Sequence, residues 1–251
     1  MKKIFAILFL LTIIQPTMGQ NKLQHNEKGT IVFVHGAWGG GWDYKIMQNL
    51  MGAKGYTVYR PTLTGLGERE HLNGPNVNLD THIMDIVNVI KFEDLHDIIL
   101  VGHSYGGMVI TGVADKIPER IKHIVYVDAF LPEDGESVFS LQTAEEDSAD
   151  IELARIKGHG WSIPPTWTNV ERDVPQPLEA FRQPISLKNP DRDKIPGTYI
   201  LTIEPGEKSD LFSKFAERAK KKNWDYFELP TGHNAQRTMP NEYAEILSSI
   251  D

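Results

Sequence analysis

The amino-acid sequence predicts an α/β domain in which a mostly parallel sheet is covered by helices on both faces. Three observations lead there. Short apolar runs rich in β-branched residues alternate with stretches whose apolar residues fall three and four apart, so strands and helices take turns along the chain. Strict alternation of that kind implies parallel strands joined by helical crossovers. The chain has 251 residues, and about 230 remain beyond a removable N-terminal tag, enough for one sizeable core and few for two. Finally, "LVGHSYGGMVI" places Gly-x-Ser-x-Gly at the junction of one strand with the following helix.

In chain order, Lys2 and Lys3 precede an almost wholly apolar run from Ile4 to Ile14, followed by Pro16, Thr17 and Gly19. This is the pattern of a signal peptide. The run is about half of the roughly 20 residues a membrane span needs. Residues 1–19 are therefore expected to be cleaved, leaving residues 20–251 exported, periplasmic or extracellular, with no stable membrane anchor. The chain has no cysteine, so it offers no thiol for a lipid anchor and no disulfide, and stability must come from the core. Net charge is -8, or -10 without Lys2 and Lys3, which argues against nucleic acid as a partner. The basic cluster Lys220 to Lys222 reads as a solvated helix end.

The expected strands are "TIVFVHG", "YTVYRP", "IILVGHS", "HIVYVDAF" and "TYILTIEPG", with "WDYFELPTGH" a weaker sixth. The expected helices are "WDYKIMQNLMGAKG", "LDTHIMDIVNVIKFE", "GGMVITGVADKIPER" and "SDLFSKFAERAKKK". From about Leu131 to Pro196 the rhythm breaks into acidic, proline-rich chain carrying Trp161 and Trp167. Loops of that length without function are uncommon. The segment is read as an inserted cap over the carboxyl edge of the sheet, with short helices near residues 136–157 and 176–182.

A serine ending a parallel strand lies on the edge where open α/β sheets build their sites. In Gly-x-Ser-x-Gly the turn is so tight that only small residues fit two positions either side, here Gly102 and Gly106. Ser104 is raised into the open, and the helix that follows aims its free amide groups at the same spot. A serine hydroxyl needs a base. His233 in "LPTGHNAQ" follows the last strand and so returns to the active edge, whereas His103 is read as supporting the elbow. The histidine needs a carboxylate to fix its tautomer. Asp128, ending "HIVYVD", and Glu204, ending "TYILTIE", both satisfy the order serine, acid, histidine. Asp128 is favoured, because a charge closing an apolar strand is costly unless it has a partner. For the oxyanion, the backbone N–H groups of Tyr105 and of Ala37, in the glycine-rich "VHGAWGGGWDY", are the expected donors. Trp38, Trp161 and Trp167 are candidates to line a pocket. The histidine spacing gives little support for a metal site, and the chemistry needs no cofactor.

With these residues in hand the chain resembles the α/β-hydrolase superfamily. It is closest to the branch holding small bacterial carboxylesterases, plant methyl-ester esterases of the salicylate and jasmonate type, and hydroxynitrile lyases. "VFVHGAWGGGWDY", "GHSYGGMVI", "YVDAFLPEDGES" and "LPTGHNAQ" carry the resemblance, and "VPQPLEAFRQPISL" resembles the cap of bacterial esterase members. The resemblance runs from about Thr30 to the C-terminus. It implies the α/β-hydrolase fold with an inserted helical cap, Ser104 as nucleophile, His233 as base, and Ala37 and Tyr105 as oxyanion donors. It departs at the acid: plant members place an aspartate where this chain reads "TIEPGEKSD", and bacterial relatives with "VDAF" point to Asp128. The expected function is an exported serine hydrolase acting on small carboxylic esters. Hydroxynitrile lyase chemistry ranks below it, because lyase relatives carry an acidic residue where this chain has His103. A slowly reacting ligand-binding protein on the hydrolase fold is the third reading.

Overall fold

The structure is a computed structural model and describes residues 28–165, 170–208 and 211–250. The expected signal peptide and Trp167 lie outside the described residues. The chain runs β1 (Gly29–Val34), a 3-10 turn (Gly41–Tyr44), α1 (Lys45–Ala53), β2 (Tyr56–Tyr59), α2 (Leu79–Phe92), β3 (Ile98–Ser104), α3 (Gly106–Lys116) and β4 (Ile121–Ala129). Then come α4 (Val138–Leu141), α5 (Ala144–Lys157), β5 (Ser162–Ile163), β6 (Gln176–Pro177) and α6 (Leu178–Arg182). The sheet resumes with β7 (Gly197–Thr202), α7 (Ser213–Lys221) and β8 (Asp225–Leu229), and the chain closes with α8 (Ala235–Thr238) and α9 (Pro240–Ser248).

Six strands form one sheet in the order β2-β1-β3-β4-β7-β8, each neighbouring pair parallel. Because side chains alternate across a strand, each central strand feeds two cores. Val32, Val34, Leu100, Ile124 and Tyr126 pack on one face with α2, α3, α7 and the inserted segment. Ile31, Phe33, Ile99, Val101 and Val125 pack on the other with α1 and α9. The near-continuous apolar runs of β1, β3, β4 and β7 reflect burial on both sides, while β8, at the edge, exposes three of its five residues.

The strand order reverses between β1 and β3, and ligands of open α/β sheets bind outside the carboxyl ends at such a switch point. The loops following β1 and β3 meet there, with Gly36 packed against Ser104 and His103. Between β4 and β7 the chain leaves the sheet and forms α4, α5, α6 and the two-stranded β5-β6 ladder. The short helices expected near 136–157 are α4 and α5. Thr143 starts the second with a capping box, its side chain accepting from the Glu146 amide while the Glu146 carboxylate accepts from the Thr143 amide at 2.8 Å. Among the described residues no helix is long and apolar enough to cross a membrane.

Candidate active site

The elbow is built from strain and close approach. Ser104 has φ 55°, in the left-handed region that a β-carbon disfavours. A β-carbon on Gly106 would lie 2.6 Å from the Val34 carbonyl oxygen, and one on Gly102 would lie 2.8 Å from the Gly106 carbonyl oxygen. Neither neighbour is a flexible side-chain tip, so both positions demand glycine. The residue after the serine is anchored from below. The Tyr105 hydroxyl lies 2.9 Å from His82 Nδ1, and His82 Nε2 lies 2.9 Å from the Thr64 carbonyl. A carbonyl only accepts, so Nε2 carries the proton and Nδ1 accepts from Tyr105. Burial lowers the His82 pKa to about 4, which keeps this relay neutral.

Asp128 sits at an irregularity in β4. In the ladder with β3, His103 pairs with Val127 and Ser104 with Ala129, so Asp128 is the extra residue of a bulge. Its φ of 44° is left-handed, a conformation aspartate tolerates better than most side chains. The bulge turns the Asp128 carboxylate along the carboxyl edge, where it is 0 % exposed. Oδ1 accepts from the Thr202 amide at 3.1 Å, and Oδ2 lies 2.6 Å from His233 Nδ1. Burial raises the Asp128 pKa to about 6, opposed by the Thr202 hydrogen bond.

His233 stands on the loop after β8, its side chain 25 % exposed. The Phe212 ring stacks on it at 5.1 Å and 8°. His103 Nε2 donates to the His233 carbonyl at 2.8 Å, tying this loop to the elbow. Burial first, and His233 second, lower the His103 pKa to about 3, so its imidazole brings no charge to the site. Glu204 stays exposed on the loop after β7, its carboxylate resting near Gly232.

Ser104, His103, His233, Ala37, Trp38 and Arg237 share a cleft of about 210 Å³. Among the described residues, neither the Ala37 nor the Tyr105 amide is taken by a protein acceptor. The peptide plane carrying the Ala37 N–H is held by His35, whose Nδ1 donates to the Gly36 carbonyl at 2.8 Å while its Nε2 accepts from the Leu63 amide at 3.1 Å. Trp161 is not among the described residues that line this cleft. The turn through His159 and Gly160, both at positive φ, lays it on the His159 ring at 6.2 Å.

Several contributors escaped the sequence reading. Asp43, from the 3-10 turn, accepts from Gln236 Nε2 at 2.7 Å and Arg237 Nε at 2.6 Å, joining the turn after β1 to α8. His35 and His82 also carry signals in hindsight. His35 directly follows β1, and His82 falls on the buried stripe Leu79, Ile83, Ile86, Ile90 of α2.

A parallel sheet with helices on both faces, a serine elbow and a His–Asp pair at its carboxyl edge define a hydrolase-type α/β protein. The chain belongs to the alpha/beta hydrolase family, whose model matches residues 31–246. It is 38% identical over 240 residues to a carbendazim hydrolyzing esterase of Nocardioides sp., covering 87% of this chain and 98% of that protein. It is 27% identical over 254 residues to a pFDCC methylesterase of Arabidopsis thaliana, covering 87% and 93%. Among solved structures, an extracellular α/β-hydrolase from a Paenibacillus species, which shares structural and functional homology with tobacco salicylic acid binding protein 2, superposes with a TM-score of 0.75. That match has 27% identity and covers 87% of this chain and 97% of that one.

Proposed function

We propose that this protein is an exported serine carboxylesterase that hydrolyses small carboxylic esters through an acyl-enzyme on Ser104. The observation that carries the proposal is the 2.6 Å contact between His233 Nδ1 and the buried Asp128 carboxylate, behind the cleft that His233 and Ser104 both line. With Nδ1 held by Asp128, His233 turns its Nε2 to the serine as general base. Ser104 Oγ attacks the ester carbonyl carbon, its proton passes to His233, and the N–H groups of Ala37 and Tyr105 hold the oxyanion. Collapse breaks the bond to the alkoxy group, which leaves as the alcohol with the proton from His233. Water, deprotonated by the same imidazole, then releases the acid and restores Ser104.

A cleft of about 210 Å³ walled by Trp38 favours short acyl chains over long ones. The 38% identity to a carbendazim hydrolyzing esterase makes carbendazim a natural first compound beside simple esters. Export rests on Lys2, Lys3 and the apolar run Ile4–Ile14, and N-terminal sequencing of the secreted product should begin near residue 20.

Hydrolysis of p-nitrophenyl acetate, butyrate and octanoate by the mature protein and its Ser104→Ala variant tests the reading. The expected result is turnover that falls with chain length and drops by about 10⁴-fold or more in the variant. Equal turnover by the two proteins would refute the serine mechanism. Cyanide release from mandelonitrile without ester turnover would point instead to the lyase alternative.

A further inference from the structure

The inserted segment does more than roof the cleft: it grips the residue next to Ala37. Trp38 has φ 60°, left-handed and therefore dependent on its surroundings to stay there. Its amide donates to Gln176 Oε1 at 3.2 Å, its carbonyl accepts from the Val174 amide at 2.9 Å, and its indole Nε1 donates to the Ile163 carbonyl at 2.9 Å. All three partners belong to the insertion between β4 and β7. Its ring also meets Phe181 edge-on at 5.8 Å, and Phe181 lies 5.4 Å from the ring of Tyr105. One cap phenylalanine is thus wedged between the neighbour of one oxyanion donor and the side chain of the other.

A backbone N–H lies in the peptide plane before its residue, and that plane is hinged at the residue's Cα to the plane after it, so a fixed second plane limits how far the first can turn. The plane before Ala37 is fixed from the sheet side by His35, through the Gly36 carbonyl. The plane after it ends in the Trp38 amide, whose side-chain acceptor is Gln176. Gln176 is 0 % exposed and is not among the residues lining the cleft. A buried amide side chain spent on one loop N–H, with its own Nε2 lacking a partner among the described residues, is a costly way merely to fill space.

We propose that the cap is a working part of the oxyanion hole, with Gln176 a positioning residue that holds the Ala37 amide through Trp38. This rests on the reading of Ser104, Ala37 and Tyr105 given above. Because Gln176 does not face the cleft, its loss should weaken stabilisation of the transition state and leave ester binding nearly untouched.

The test is Gln176→Met, close in size but without the acceptor, beside Gln176→Glu, which keeps an oxygen at the same place. Steady-state rates on p-nitrophenyl acetate are paired with the inhibition constant of a trifluoromethyl ketone, whose adduct with a serine carries the oxyanion. Removing one such donor costs about 100- to 1,000-fold, so displacing it should cost kcat about 10- to 100-fold. The expected result is that loss in Gln176→Met with KM within about twofold, an inhibition constant raised by the same factor, and recovery in Gln176→Glu. Wild-type kcat in Gln176→Met overturns the proposal, as does a loss of kcat with an unchanged inhibition constant. Should Gln176→Met not fold, Phe181→Leu is read by the same pair of numbers: parallel shifts support the proposal and none overturns it. Ser104→Ala, run alongside, separates the two claims. Turnover surviving there refutes the serine mechanism itself, whereas turnover abolished there and intact in folded Gln176→Met refutes the role of the cap alone.

Discussion

β4 and β7 lie side by side and end at the same edge of the sheet, and each delivers a carboxylate there. At the end of β4, Asp128 is the extra residue of a bulge, left-handed, wholly buried, and held by His233 and by the Thr202 amide. Beyond the end of β7, Glu204 stands exposed on a loop. The amide that closes β7 is itself given to Asp128, so one strand end orders the carboxylate that the other carries. Order along the chain and proximity to the edge are equal for the two carboxylates; burial and fixed partners are not. A carboxylate that must hold an imidazole in one tautomer needs those fixed partners, because water competes for a solvated one.

The largest effect that can break this comparison is in activity. Asp128→Asn should lower kcat on p-nitrophenyl acetate by about 10⁴-fold while circular dichroism shows the fold retained, since asparagine also tolerates a left-handed φ. A loss of less than tenfold would show that Glu204, or water, replaces it.

Stability against pH extends the contrast to buried histidines. The unfolded chain takes protons on imidazoles near pH 6.5, whereas folded His82 stays neutral to about pH 4 and His103 to about pH 3. Acid therefore favours unfolding. Stability should fall as pH drops below about 6.5, by about 3 kcal/mol for His82 alone once pH reaches 4. Urea unfolding of wild type and His82→Gln at pH 7 and pH 4.5 measures it; the variant should lose less on acidification.

Asp128 works in the opposite direction and more weakly. In the folded state it keeps its proton up to about pH 6, while the unfolded carboxyl ionises near pH 4. Rising pH across that window removes stability, so ionised Asp128 costs the fold about 2 to 3 kcal/mol above pH 6. Asp128→Asn should be more stable than wild type at pH 8 and no more stable near pH 4. A variant less stable at both would contradict the burial cost. The smallest effect is expected at the exposed partner in the comparison: Glu204→Gln should stay within about twofold of wild type in kcat and unfold at the same urea concentration.

Much of this architecture was legible in the sequence because the signals are local. A strand buried on both faces announces itself as a run such as "IILVGHS", and the glycines around Ser104 follow from a turn that leaves no room for a β-carbon. The two-stranded ladder in the insertion and the packing of Trp161 on His159 were not legible, since the sequence there has no periodicity and residues 160–165 and 170–177 are placed by contacts with distant loops. The same holds for Asp43 and Gln236, some 190 residues apart in sequence. Aspartate, glutamate and glutamine carry no sequence mark of the partner they will meet.

The most direct measurement is the rate at which a fluorophosphonate labels the mature protein, with the modified peptide identified by mass spectrometry. Labelling needs a nucleophilic serine activated by its base, and no particular ester. The prediction is a single adduct on Ser104, absent in Ser104→Ala, slowed by orders of magnitude in Asp128→Asn and unchanged in Glu204→Gln. An adduct elsewhere, or equal rates in Asp128→Asn and wild type, would contradict the Ser104–His233–Asp128 assignment.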